Sequence, residues 1–385
     1  MKILYIHSYK LDDKMANCVQ VISMCKSFSK QAKVFLLTPK SDKTELEMKN
    51  YLKSSFDFPD DINLLFFKSQ IFGKRISNLI NYFSVKKFTD NVKPDFCFVR
   101  NTSFLASLLF LKIPTFYEVH NSVLHYRFFL LNLFLVNRLV KISKNKNLVS
   151  IITISKQLAN FWISKGIPKS KILELHDGFD NNVFETKINK HKARKLVNIL
   201  PNKKVAIYTG SLYEDRKIHN IIYLARDFEN VDFIVIGGPE NQKEYYQKKS
   251  YDLKISNILF KGHIPHNEIS LYLFSADFLL ALWSDDVPTI NYCSPLKVFE
   301  YMASGSLIIA HAYPPIKEVL KDNINAYLVK PDKYEELKIV FKKAIENNSN
   351  NNIIISERAR KDAFIKYSWD VRTDKIINSF KKYKF

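Results

Sequence analysis

Apolar positions along this 385-residue chain gather into short runs, and between the runs they recur at helical spacing. In the first half the runs are "KILYI", "KVFLL", "INLLFF", "DFCFV", "TFYEV" and "SIITI". Amphipathic stretches such as 16–30 and 102–111 lie between several of them. The pattern starts afresh with "KKVAIYTGS", "VDFIVIGG", "NILFKG", "DFLLAL", "SLIIA" and "AYLV". Runs of this length, alternating with helices, predict parallel strands covered on both faces. Two such series, joined through the polar region 180–203, predict an α/β chain of two Rossmann-like, doubly wound domains facing across a cleft. In such sheets ligands sit beyond the carboxyl ends of strands. The residues to weigh are therefore His7, Ser8, Glu118, His120, Gly210, Ser211, Gly237, Gly238, Gly262 and His263.

Composition fits this picture and narrows it. With 46% hydrophobic residues the chain can bury two cores. No apolar run reaches the ~18 residues of a spanning helix, and "ILYI" is too short for a signal-peptide core. Cys18, Cys25, Cys97 and Cys293 form no disulfide framework and show no metal-ligand spacing. The expected setting is a reduced, cytoplasmic one, with no metal.

The formal net charge is +21 and is unevenly spread. Residues 1–190 hold 29 Lys and Arg against 15 Asp and Glu, and residues 62–173 hold 17 against three. A basic first half points to a polyanion, either nucleic acid or an anionic membrane surface. A Lys- and Asn-rich composition accounts equally for much of the charge. The segment "VLHYRFFLLNLFLVNRLVKISKNKNL" (123–148) reads as one long aliphatic-aromatic helix with a basic end. That is the pattern of a helix lying in a membrane interface, and equally of a core helix with a solvated end.

The most punctuated stretch is "SPLKVFEYMASG". Ser294 suits an N-cap, Pro295 the first helical position and Gly305 the left-handed C′. A helix start at a strand end offers the N–H groups of Leu296 and Lys297, and the macrodipole, to an anion. Lys297 adds a charge there. Glu300 then either pairs with Lys297 within the helix or accepts hydrogen bonds from sugar hydroxyls of a nucleotide whose phosphates lie at the helix tip.

"SPLKVFEYMASGSLIIAHAYPPIKEVL" resembles the donor-binding motif of retaining family-4 glycosyltransferases, which have the GT-B fold. In order along the chain, "ANCVQVISMCKSF", "TFYEVHN", "IITISKQLANFWISKGIPKSKILELHDGFDNNVF", "AIYTGSLYEDRKIHNIIYLA", "FIVIGGP", "ILFKGHIPHNEISLYLFSADFLLAL" and "YSWDVRTDKIINSF" resemble that family's other segments. The resemblance implies an acceptor-binding domain over 1–190, on which a terminal helix of about 367–385 packs back, and a nucleotide-sugar domain over 191–366. It implies a nucleotide-diphosphate sugar, UDP- or GDP-linked, as donor substrate, with no further cofactor. It also implies a surface-polysaccharide or lipid-linked acceptor and retention of configuration.

Site roles follow by resemblance at matching positions. Glu300 takes the ribose, and Arg216 with its neighbour Lys217 takes the diphosphate, with Lys297 supplying the cation missing at Ser211. Gly262, His263 and Ile264 line the nucleobase, with Ser294, Leu296, Gly210 and Gly237 around the donor. His120 faces the donor sugar, with Glu118 and Asn121 on the acceptor side. The chain departs from the family pattern in three places. Tyr292 stands at the first Glu of a paired motif, "HSYKLDDKMAN" replaces a Gly-Gly turn, and Asn121 replaces an Asp. These departures motivate the alternative of a non-catalytic partner subunit in a glycan-assembly complex. No nucleic-acid recognition motif is found, so a nucleic-acid partner is not expected.

Overall fold

The structure, a computed structural model, describes residues 1–12, 16–67, 74–122, 129–347 and 349–384. It divides into two compact units, Met1–Asp177 with Trp369–Phe385, and Gly178–Ser368.

The first unit holds a seven-stranded parallel sheet in the order β3-β2-β1-β4-β5-β6-β7. Its strands are β1 (Lys2–Ile6), β2 (Lys33–Pro39), β3 (Asn63–Phe67), β4 (Phe96–Val99), β5 (Thr115–Val119), β6 (Leu148–Thr153) and β7 (Ile172–Glu174). Every residue of β4, β5 and β6 is buried, as strands covered by helices on both faces must be. The second unit holds a six-stranded sheet in the order β10-β9-β8-β11-β12-β13. These are β8 (Lys204–Thr209), β9 (Val231–Ile236), β10 (Ile258–Gly262), β11 (Phe278–Ala281), β12 (Leu307–His311) and β13 (Tyr327–Val329). Strand order reverses beside β1 in one sheet and beside β8 in the other. The carboxyl ends around those points are where doubly wound folds bind ligands.

Several details differ from the sequence reading. β7 has no counterpart among the predicted runs, because its three residues are only half-buried or exposed and leave no apolar signature. The helix expected over 123–148 is described as Phe129–Ser143, and residues 123–128 lie outside the described residues. It stops before 148 because Asn145 builds a turn. Its Oδ1 accepts from the Asn147 N–H at 2.8 Å, and the chain enters β6 at Leu148. Among the described residues no helix is long and apolar enough to cross a membrane.

The boundary between units lies at Asp177/Gly178, where the sequence suggested 190/191. Phe179 bridges Ser368, and Phe179 and Phe184 join the core of the second unit. The helix Trp369–Lys384 belongs to the first unit, where it packs against the helix Ala16–Ser29. Its Asp370 accepts from the Ser27 hydroxyl at 2.7 Å.

Candidate functional site

In the second unit the carboxyl ends of β8, β9 and β10 are stitched through their backbones. The Gly210 N–H donates to Ile236 O at 2.9 Å, and Gly237 N–H to Gly262 O at 2.8 Å. Gly237 has φ +141°, and a Cβ there would stand 1.8 Å from Gly210 O, so no other residue fits. Gly210 has φ +136°, and a Cβ on it would meet the Lys297 Nζ at 3.0 Å. The glycines are thus needed for close approach, of backbone in one case and of the Lys297 amine in the other.

Beyond β8 the chain turns through Ser211, whose Oγ accepts from Arg216 Nε at 3.0 Å. Asp215 Oδ1 lies 3.6 Å from the same nitrogen, and its carbonyl accepts from the Ser284 N–H at 2.9 Å. Ser211, where the family pattern has a cation, therefore holds Arg216 in place. Lys217 has left-handed dihedrals, φ 54° and ψ 38°, and its Nζ pairs with Asp332 at 2.6 Å. It turns to a different partner from Arg216.

The helix Leu296–Ser304 begins one residue later than its punctuation suggested, and Ser294 is not its cap. Pro295, extended at φ −74° and ψ 119°, occupies the N-cap position, so the first turn has no side-chain cap. Gly305 ends the helix at φ 71°. The Tyr301 hydroxyl accepts from the Thr209 N–H at 2.8 Å, which fastens this helix to the end of β8. Glu300 does not pair with Lys297. Its Oε1 meets His266 Nε2 at 2.9 Å, and the carboxylate is 13% exposed. Lys297 runs inward instead. Its Nζ stands 3.9 Å from the ring centroid of Tyr208 and 5.1 Å from that of Trp283. Among the described residues it meets no hydrogen-bond acceptor. Burial, aided by the Arg216 charge and opposed by Glu300, holds its pKa well below the ordinary lysine range. Ile264 is half-buried against the second core, Tyr292 is half-buried in the preceding turn and His263 is exposed.

In the first unit the carboxyl end of β5 carries a closed ionic cluster. Glu118 is fully buried. Its carboxylate accepts from Gln20 Nε2 at 2.9 Å and from Arg372, lies 3.5 Å from Arg100 Nε, and meets His120 Nε2 at 2.5 Å. Asp177 shares two of these partners, Gln20 at 2.6 Å and Arg372 at 3.2 Å. Burial pushes Glu118 up, but Arg372, His120 and Arg100 together hold it far below the usual carboxylate range. Asp177 is pushed up to about 7 by burial, and the Glu118 charge adds to that against the pull of Arg372. Below about pH 7 one proton is thus kept within a pair of buried carboxylates. His120 is lowered to about 4 by burial and by Arg100, so it is neutral near pH 7. Because ionised Glu118 can only accept, the proton sits on Nε2 and Nδ1 keeps a lone pair. Asn121 is exposed.

The structure thus brings Gly210, Ser211, Arg216, Lys297 and Glu300 to one end of the second sheet, and Glu118 and His120 to one end of the first. The sequence reading missed His266, Tyr208 and Trp283, and also Gln20, Arg100, Asp177 and Arg372. The available signals were "GHIPHNEIS", one residue of which reaches Glu300, and the single Arg in "SWDVRTD".

Residues 189–362, which lie within the second unit, match the model of the family described as glycosyl transferases group 1. An uncharacterized glycosyltransferase of Methanocaldococcus jannaschii is 23% identical over 244 residues, 60% of this chain and 59% of its own length. The processive diacylglycerol alpha-glucosyltransferase of Acholeplasma laidlawii is 26% identical over 170 residues, 43% of this chain. The chain thus spans 59% and 49% of the lengths of these two relatives. Among solved structures, Anabaena HepE in complex with UDP-glucose superposes with a TM-score of 0.76 at 17% identity, over 99% of this chain and 100% of its own. The fold class is GT-B, with two Rossmann-like units.

Proposed function

We propose that this chain is a glycosyltransferase of the retaining family-4 type. It moves a sugar from a nucleotide-diphosphate donor, UDP- or GDP-linked, to a surface-polysaccharide or lipid-linked acceptor. The observation that carries this reading is the grouping of Arg216, Lys297 and Glu300 around an uncapped helix start at glycine-lined strand ends. HepE holds UDP-glucose in a similar fold, and the Acholeplasma relative is described as acting on diacylglycerol. Both favour such a donor and such an acceptor.

In this reading the diphosphate lies at the start of helix Leu296–Ser304, near Gly210 and Gly237. Bond cleavage at the anomeric carbon leaves negative charge on the departing diphosphate. The helix start, Arg216 and Lys297 stabilise that charge without a metal. Glu300, steered by His266, accepts from the ribose hydroxyls. Gly262, His263 and Ile264 lie along the base, and Ser294, Leu296 and Tyr292 border the helix tip. Lys217, paired with Asp332, supports the turn that presents Arg216. The first unit, about 1–190 by sequence, binds acceptor near Glu118 and Asn121. His120 offers its Nδ1 lone pair to a hydroxyl of the donor sugar.

Peripheral attachment to the inner face of the cell membrane belongs to the same reading. The helix Phe129–Ser143 exposes Leu133 and Phe134 in the more basic first unit. Tyr292 in place of a carboxylate favours one second reading, a nucleotide-binding subunit without transfer activity.

Thermal shift against UDP, GDP, ADP and CMP, followed by hydrolysis assays with their sugars, tests the proposal. A nucleotide at 100 times its Kd should add about 2.7 kcal/mol to stability. Stabilisation with slow sugar release supports the enzyme, stabilisation without turnover supports the subunit, and no response to any nucleotide defeats both.

A further inference from the structure

Lys297 holds its amine buried against two aromatic rings. Its side chain lies beneath Gly210, and the amine is sealed from solvent with no acceptor among the described residues. The groups facing it are known. From β8 comes the Tyr208 ring, two residues on comes Gly210, and from the loop after β11 comes Trp283. Arg216, tied to Ser211 and near Asp215, adds a positive charge from the turn after β8. From its own helix, the Glu300 carboxylate favours the charged form, but it is engaged by His266. Tyr301 of the same helix is turned to Thr209.

An ammonium in this position keeps the attraction of two ring faces but gives up its hydration and stands near a second cation. Loss of hydration outweighs the rings, because none of its three N–H groups would find an oxygen. A neutral amine is the stable form there. The amine also stands against the glycine-lined strand end to which the proposed function assigns a diphosphate.

We infer that Lys297 is stored as a neutral amine and takes up a proton from solvent when a nucleotide diphosphate binds, so that the second cation of the subsite forms only with its anion. The inference rests on that proposed site and adds to it a coupling between donor binding and proton uptake. The proton comes from buffer and lands on the Nζ lone pair. The diphosphate oxygens then supply the acceptors that the ammonium lacks, and the subsite avoids holding two unpaired cations side by side.

Titration calorimetry of the full chain with UDP or GDP tests this. Measurements near pH 8, in buffers of different ionisation enthalpy, count the protons exchanged. At that pH the terminal phosphate of the nucleotide, with a pKa of about 6, is already ionised. The expected result is uptake approaching about one proton per nucleotide bound. Affinity should weaken by up to about tenfold per pH unit across the alkaline range. Lys297→Met should abolish the uptake and weaken binding more than tenfold. Because Met suits a dry site between rings, the variant should melt no lower than the parent protein. Nucleotide binding without proton uptake, or uptake that survives in Lys297→Met, overturns the inference and leaves the proposed site standing. Failure of every nucleotide to bind overturns the proposed site itself.

Discussion

At the end of β5 Glu118 is met by Gln20, Arg100, His120 and Arg372, so a fully buried carboxylate has four partners. Beside the end of β8 Lys297 is met by two aromatic rings and no oxygen among the described residues. Both are charged residue types at the carboxyl edge of a parallel sheet, and both are removed from water. The first arrangement answers its charges internally and so behaves as scaffolding, holding one imidazole in one tautomer. The second leaves N–H groups with no acceptor among the described residues, a demand that the proposed diphosphate would meet. Where a buried charge finds its complement within the fold, stability is served. Where it does not, binding is the better explanation.

The comparison breaks most visibly if the closed cluster is opened. Arg372 donates to the Leu175 carbonyl at 2.8 Å as well as to both carboxylates, and its side chain is 3% exposed. Arg372→Ala would leave buried Glu118 with Arg100, at 3.5 Å, as its remaining arginine and detach the helix Trp369–Lys384 from the end of β5. The expected loss is about 3–5 kcal/mol of stability, read as a fall in the denaturant midpoint. A loss below about 1 kcal/mol would place the pair among solvated ion pairs and remove the contrast between the units.

The open side is probed by Glu300→Gln. Glu300 is only 13% exposed but accepts one bond from His266, so the amide should fold with little cost. Replacing a charged acceptor by a neutral one should weaken donor binding by about 1.5–3 kcal/mol, roughly 10- to 150-fold. Calorimetric affinity for the nucleotide checks it, with circular dichroism unchanged. Full affinity in this variant would remove Glu300 from the ribose and leave it as a partner of His266 alone.

How much of this was legible in the sequence depends on the distance over which each feature is encoded. The runs "KILYI" and "TFYEV" are β1 and β5 residue for residue, because burial on both faces writes itself into consecutive positions. Gly210, Gly237 and Gly262 stood out as strand-end glycines, and only the fold reveals that Gly237 is pressed on the Gly210 carbonyl. Glu300 was visible as an isolated carboxylate in an apolar helix, but its partner His266 lies 34 positions earlier. Arg372 and Glu118 are 254 positions apart, and no local pattern announces such a pair. Ser294 misled because good capping chemistry is a local preference, and Pro295 took the capping position instead.

The finest distinction lies inside the closed cluster, between its two carboxylates. Asp177 is raised to about 7, against about 3.9 for a free aspartate. The folded chain keeps this proton at pH values where the unfolded chain has released it. Stability from Asp177 is therefore complete below about pH 4 and lost as pH climbs through about 7. Glu118 acts in the opposite sense, since its folded carboxylate is held below the free value. Its contribution is present above about pH 4.3 and lost only in acid. Asp177→Asn removes the first dependence and keeps the second, and His7 and His120 are common to both proteins. Relative to the parent protein, the variant should gain on the order of 2–3 kcal/mol between about pH 5 and pH 8, measured as the difference in unfolding free energy. A gap that stays constant over that range would mean that both carboxylates are ionised around Arg372. The first unit would then hold an unanswered charge of its own, and the division of labour between the two sheet edges would have to be redrawn.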